Sequence, residues 1–257
     1  MGNINWLGLW TLYRREVHRF LKVFNQTLFA PAVTTLLFLA VLTLSLGSRQ
    51  HHPVEGIAYT DFIAPGLIMM AIVQNAFANT SSSLMLSKIQ GVIIDLLMPP
   101  LSGTEITLGL TMGGLTRGML VGIVVATAVY IFVPYHVHHW GIALFYLLAS
   151  SLMLALIGLL TGIRSQSFDQ LSAITNYVIT PLSFLSGTFY SIRQLPAFWY
   201  HVCHFNPFFY MIDGFRYAFT GYADGSITIG IAVICITDLM LWCLAQHLIS
   251  IGYKLKT

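Results

Sequence analysis

The stretch Pro181–Arg216, PLSFLSGTFYSIRQLPAFWYHVCHFNPFFYMIDGFR, decides how the chain is read. It begins apolar, as the end of a membrane span. It then breaks into short pieces marked by Pro196 and Pro207, rich in aromatics and still largely apolar. Asp213 and Arg216 close it, three apart and so on one face of a helix. A soluble loop of this length would be more polar, and a regular membrane helix would not carry Pro196, Asn206 and Pro207. The pattern predicts a re-entrant helical segment. Irregular backbone at membrane depth is tolerated only where protein or a water-filled cavity satisfies it.

The rest of the chain agrees with a membrane setting. Of 257 residues, 56% are hydrophobic and 8% charged, where soluble domains carry about 25% charged residues. Such a chain cannot cover a water-facing surface, and the expected fold class is all-α membrane protein. Cys203, Cys235 and Cys243 have no paired spacing, which speaks against a disulfide framework or a cysteine metal site. Basic Arg14, Arg15 and Arg19 precede the first apolar run, as in a signal peptide. That run, Phe29 to Gly47, exceeds an h-region of about 7–15 residues, so it is read as retained.

Outward from there the chain divides into an N-terminal interfacial helix, 1–24, and a transmembrane domain, 25–254. In the first, Trp6, Leu7, Trp10, Leu12, Tyr13, Val17, Phe20 and Leu21 alternate with basic residues near helical spacing, the pattern of a helix lying in the bilayer interface. Six spans are predicted in the second, at about 29–47, 62–86, 106–133, 141–163, 171–190 and 227–249. Six spans put both termini on one side. With the N-terminus inside, Arg14, Arg15, Arg19, Lys22, Lys88, Arg164, Lys254 and Lys256 are inside, and Arg49, Arg193 and Arg216 outside. Eight against three places both termini in the cytoplasm and the aromatic part of Pro181–Arg216 near the outer face.

The order Ser186-Gly187-x-Phe189-Tyr190, Leu195-Pro196, Asn206-Pro207-x-x-Tyr210 and Gly214-x-Arg216, ahead of a final hydrophobic span, resembles the signature of the ABC-2 family of transport permeases. The likeness covers nearly the whole chain and is greatest to the YadH-like bacterial inner-membrane permeases. It implies the membrane-spanning subunit of an ATP-driven exporter in the bacterial inner membrane. Two copies would assemble with two ABC ATPase subunits from another polypeptide. This chain would bind no cofactor, with ATP and Mg on the partner. A phosphate-cradling G-x-x-x-x-G-K-[ST] loop is absent from the chain, and Gly113–Gly118 reads as close helix packing. No nucleic-acid partner is expected.

The resemblance also places a coupling helix for the ATPase between spans two and three. Lys88, Gly91, Asp95, Leu96, Leu97, Pro99, Pro100, Leu101, Ser102 and Glu105 match its position and general pattern. Ile89, Ile93 and Leu97 fall four apart, on one face, as expected of anchors. Pro99 and Pro100 stop the helix. In span two, Asn75, Asn79 and Ser82 also share a face. Two readings are open, hydrogen bonds between helices, which is favoured, and the lining of a transport path. Phe189 and Tyr190 are further path candidates, and Pro196, Pro207, Tyr210, Asp213 and Arg216 make up the outer re-entrant segment.

Two charges sit inside spans, Arg117 and Asp238, where a charge is costly unless paired. A structural pairing between them is expected ahead of proton coupling. An ion- or proton-coupled secondary transporter using Asp238, Arg117 and His247 is the rival reading. A membrane enzyme would need a convergent acid, base or metal set, and none is apparent. His51, His52, His136, His138 and His139 lie in two loops without zinc-site spacing and are read as solvated.

Overall fold

The computed structural model describes residues 4–46 and 56–254. Arg49, His51, His52 and Lys256 lie outside them. The elements are α1 (Trp6–Leu21), a π turn (Asn25–Phe29), α2 (Ala30–Leu46), α3 (Tyr59–Ile89), α4 (Ile93–Leu97), α5 (Gly103–Phe132) and α6 (Trp140–Arg164). They continue as α7 (Phe168–Ile174), a second π turn (Thr175–Ile179), α8 (Thr180–Leu185), a 3-10 turn (Ile192–Gln194), α9 (Ala197–His204), α10 (Pro207–Thr220) and α11 (Ile227–Ser250). All are helical, because apolar runs of this length can satisfy their backbone in lipid only within themselves.

Among the described residues, five helical stretches are long and apolar enough to cross a bilayer: Asn25–Ser45, Tyr59–Ile89, Gly103–Phe132, Trp140–Arg164 and Ile227–Ser250. The predicted fifth span, 171–190, is not among them. It is a helical path over residues 168–185 in three pieces, with Asn176 in the π turn. The chain leaves the helix at Ser186, and Gly187 adopts a left-handed φ of +76°.

At the centre is α3, 31 residues and so about 46 Å long, packed against α2, α5, α6 and α10. Small residues let its neighbours approach closely. A Cβ on Gly158 of α6 would stand 2.4 Å from the Phe77 carbonyl oxygen, and one on Gly114 of α5 would stand 2.8 Å from Thr80. Close helix packing is therefore the role of the Gly113–Gly118 stretch.

The two ends of the bundle are easily told apart. At one, called here the α1 end, lie α1, the C-termini of α3, α6 and α11, and the N-terminus of α5. Lys88 reaches the last carbonyls of α6, Gln246 donates to Thr104 Oγ1, and the Asn5 amide donates to Glu105. At the other, the α10 end, the Arg216 Nε donates to the Phe62 carbonyl near the start of α3, and the His138 amide donates to Ala218. The path 168–185 starts beside the end of α6 and finishes beside the start of α3, where Gly187 and Thr188 meet Arg216 and Gly66. Residues 186–226 then leave from and return to the α10 end.

Candidate functional site

Two regions carry the polar chemistry, one at each end. At the α1 end, Gly91 with φ +72° ends α3 and lets the chain turn into the single turn α4. Ile93 and Leu96 point inward and join the core cluster of Leu12, Leu84, Ile106 and Leu110, with half-buried Leu97 against it. Ile89, Val92, Ile94 and Met98 are exposed, Ile94 at 60% and Met98 at 76%. The expected anchors Ile89, Ile93 and Leu97 therefore do not form one outward face. The break at Gly91 puts Ile89 on a different helix from Ile93, and a five-residue helix laid on the core can spare only Ile94 and Met98. Asp95, Pro99 and Pro100 are exposed beside them.

Lys88 is turned inward. Its Nζ donates to the carbonyls of Gly162 at 2.9 Å, Ile163 at 2.5 Å and Ser165 at 3.4 Å. These are orphan acceptors at the negative end of the α6 dipole, where a cation is favourable. Lys88 thus locks the base of the loop that carries α4 to the end of α6. At the start of α5, Ser102 and Glu105 form a reciprocal capping box, and Glu105 also accepts the Asn5 amide at 2.5 Å.

The polar patch of α3 holds α1. Arg19 donates to the Asn79 carbonyl at 2.7 Å, to Asn79 Oδ1 at 3.0 Å and to Ser82 Oγ at 3.3 Å. Buried Glu16 accepts from Ser83 Oγ at 2.8 Å and pairs with Arg15 and Arg19. Asn75 points elsewhere. Its Oδ1 accepts from Arg117 Nη2 at 2.9 Å, and it lines a groove of about 290 Å3 between α2 and α3 with Gln26, Thr34, Thr35 and Gln74. The pairing of Arg117 with Asp238 is not formed. Arg117 is held by Asn75, and the buried Asp238 Oδ1 has no hydrogen-bond partner. The two sit on different helices, and the spacing in sequence says nothing of their separation in space.

At the α10 end residues 186–226 close on themselves. Asn206 caps α10, accepting the Phe208 amide at 3.1 Å, and donates to Ser186 Oγ at 2.8 Å. Pro207 opens the helix, where its missing N–H costs nothing. Arg216 is 1% exposed. It donates to the carbonyls of Phe62 at 3.1 Å and Gly187 at 2.5 Å and lies over the Phe62 ring. Asp213 is 3.9 Å from Arg216 and accepts the amides of Asp224 at 2.8 Å and Gly225 at 2.9 Å.

Asp224 in turn accepts from Ser191 Oγ at 2.6 Å and Tyr222 Oη at 2.7 Å, with Arg193 at 3.5 Å. Burial first, and then the hydrogen bond to Asp224, raise the Tyr222 phenol above its ordinary value, so it remains the donor. Gly214 has no side chain because the Tyr146 ring fills the space, 1.9 Å from where a Cβ would be. Tyr210 Oη donates to the His204 carbonyl, and Tyr190 Oη to that of Leu185. Phe189 leans on Phe184 with ring centroids 5.4 Å apart, and Pro196 caps α9. The aromatics divide. Phe198, Trp199 and Phe205 are exposed, and Phe208, Phe209 and Tyr210 are buried. His138 is not simply solvated, since its Nδ1 meets the Phe219 carbonyl, and His139 stacks on Tyr217.

This closed segment lies in the part of the chain that carries the family pattern, and residues 8–220 match the family model described as ABC-2 type transporter. The chain belongs to the ABC-2 type transporter family. Among ABC-2 relatives, the inner membrane transport permease YadH of Escherichia coli K12 is 39% identical over 251 residues, 96% of this chain and 98% of that protein. Nodulation protein J of Rhizobium leguminosarum bv. viciae is 27% identical over 245 residues, 91% of this chain and 90% of that one.

Sequence reasoning missed several members of these sites. Asp224, Tyr146, Glu16 and Arg19 form their bonds to residues far along the chain, and no local pattern marks them. The outward role of Met98 had a signal, an apolar residue directly before Pro99, that the four-residue spacing overrode.

Proposed function

We propose that the chain is the membrane-spanning permease subunit of an ATP-driven exporter of the bacterial inner membrane, working as a pair of copies with two separate ABC ATPase subunits that carry ATP and Mg. The path 168–185 is its sixth crossing, since its ends lie at opposite ends of the bundle. The α1 end faces the cytoplasm, because Arg15, Arg19, Lys22, Lys88 and Arg164 gather there. Residues 186–226 form a re-entrant segment in the outer leaflet. Support comes from family membership and the permease relatives.

The observation that carries the reading is the exposed apolar group Ile89, Val92, Ile94 and Met98 on a loop anchored by its other face. Apolar side chains seated on a partner are the usual anchors, with charges such as Asp95 at the rim. Force applied there passes to α3 directly and to α6 through Lys88. The groove holding Asn75, Gln74, Thr34 and Thr35 opens between α2 and α3, where polar groups cannot face hydrocarbon. A second copy across it would enclose the path. Asn79 and Ser82, bound by Arg19, shape that path only indirectly.

The test is co-purification of the ATPase with wild-type and Met98→Asp chains at equal permease levels. Loss of the complex from a folded variant supports the reading. An intact complex with unchanged stimulated ATP hydrolysis refutes α4 as the dock. Asp238, with its unpartnered Oδ1, is the one feature that favours ion coupling. If Asp238→Asn abolished transport and a proton gradient alone drove it, the secondary-transporter reading would prevail.

A further inference from the structure

Between α1 and the end of α3 lies a cleft of about 330 Å3. Arg15, His18, Arg19 and Lys22 line it from α1, and Ser87 and Gln90 from α3 and its C-cap. Glu16 and Ser83 are there too, but the Glu16 carboxylate is taken by Arg15, Arg19 and the Ser83 hydroxyl. Three permanent cations thus meet one carboxylate already in use. Arg19 is held at the back of the cleft by Ser82, Asn79 and Glu16. Among the described residues the exposed Lys22 ammonium has no hydrogen-bond or ion-pair partner. The cleft carries more positive charge than its one carboxylate balances.

Its position says which anion. The membrane-crossing stretch starts at Asn25, less than one helical turn after Lys22, so Lys22 stands at headgroup depth. Immediately below it, Val23, Phe24 and Phe29 are exposed and apolar, suited to acyl chains. On the same α1 helix, Trp6 and Trp10 are exposed, and tryptophan favours the headgroup level.

We infer that this cleft holds the phosphate group of an anionic phospholipid, gripped by Arg15, Arg19 and Lys22 with Ser87 and Gln90 as neutral partners, its acyl chains lying along Val23, Phe24 and Phe29. Such a lipid braces α1 against α3 just ahead of Gly91. The inference rests on the proposed membrane placement of α1, but it does not depend on the ATPase.

The test uses the full chain in neutral detergent, with retained phosphatidylglycerol and phosphatidylcholine counted by native mass spectrometry. The Arg15→Gln/Lys22→Gln pair is compared with the Arg14→Gln/Lys254→Gln pair, which removes equal charge at the same end but outside the cleft. The cleft pair should lose about thirtyfold in phosphatidylglycerol affinity, as expected for two cations at an anionic headgroup. The control pair and the weak phosphatidylcholine binding should be unchanged. Thermal melts show whether each variant folds, and Lys22→Gln alone, at an exposed position, serves if the double variant does not.

Equal loss in the control pair would reduce the effect to diffuse surface charge and overturn the site. Protection of wild type by inorganic phosphate as strong as by phosphatidylglycerol would overturn the lipid in favour of a free anion. Unchanged lipid binding with loss of the ATPase from the cleft pair would make the cleft a protein dock.

Discussion

The two ends of this bundle treat their polar groups in opposite ways. At the α10 end, Arg216, Asp213, Asp224, Tyr222 and Ser191 satisfy one another or nearby backbone, and α10 is buried almost throughout. At the α1 end the same kind of bonding stops short. Lys88, Glu105 and Glu16 tie the helices together, but Ile94 and Met98 face outward and a basic cleft stays open. Exposed apolar side chains occur at both ends, Phe198 and Phe205 at one and Ile94 and Met98 at the other, so the difference lies in the charges, which are paired off at the α10 end and left open at the α1 end.

The largest expected effect breaks the closed end. Arg216→Met leaves the Phe62 and Gly187 carbonyls and Asp213 without their cation, and losing one partner of a buried charged pair costs about 3–5 kcal/mol. The variant should fail to accumulate or melt far below wild type in detergent. A normal melt would mean the network is dispensable. Next comes Gly214→Ala, whose Cβ collides with the Tyr146 ring; overpacking of this kind costs about 1–3 kcal/mol. Adding Tyr146→Ala should restore part of the loss through relief of the clash, and absence of any rescue would show that the two do not meet.

At the open end the effects on stability shrink while those on the partner grow. Lys88→Met removes charge-assisted bonds to the α6 carbonyls, worth about 1.5–3 kcal/mol, and should lower ATP-driven transport more than it lowers ATPase binding. An equal fall in both would place Lys88 at the interface and not behind it. Ile94→Asp, at an exposed position, should change stability by less than about 0.5 kcal/mol yet detach the ATPase. A large loss of stability with the ATPase retained would mean that Ile94 is part of the core.

The helices were legible because runs of about 20 apolar residues leave the backbone no other option in lipid. The predicted span 62–86 corresponds to α3, Tyr59–Ile89, and 227–249 to α11, Ile227–Ser250. The fifth span was less legible. Asn176 and the π turn break its period, and a π turn has no local signature. The α6 partners of Lys88 and the α3 partners of Glu16 and Arg19 lie 60 residues or more away along the chain, where periodicity cannot reach. The outward face of α4 was misread for a related reason, since five residues are too few to show which side the core will take. Arg216 and Asp213 were found because a charged pair in an apolar stretch stands out, but Asp224, in a polar loop, does not.

The most direct measurement of the difference between the ends is site-specific photocrosslinking in intact membranes with the ATPase co-expressed. One photoreactive residue is placed at Ile94, at the α1 end, and another at Phe205, 90% exposed at the α10 end. The account predicts a covalent adduct with the ATPase from position 94 and none from position 205. An adduct from 205, or none from 94 in a complex shown to be assembled, would contradict it.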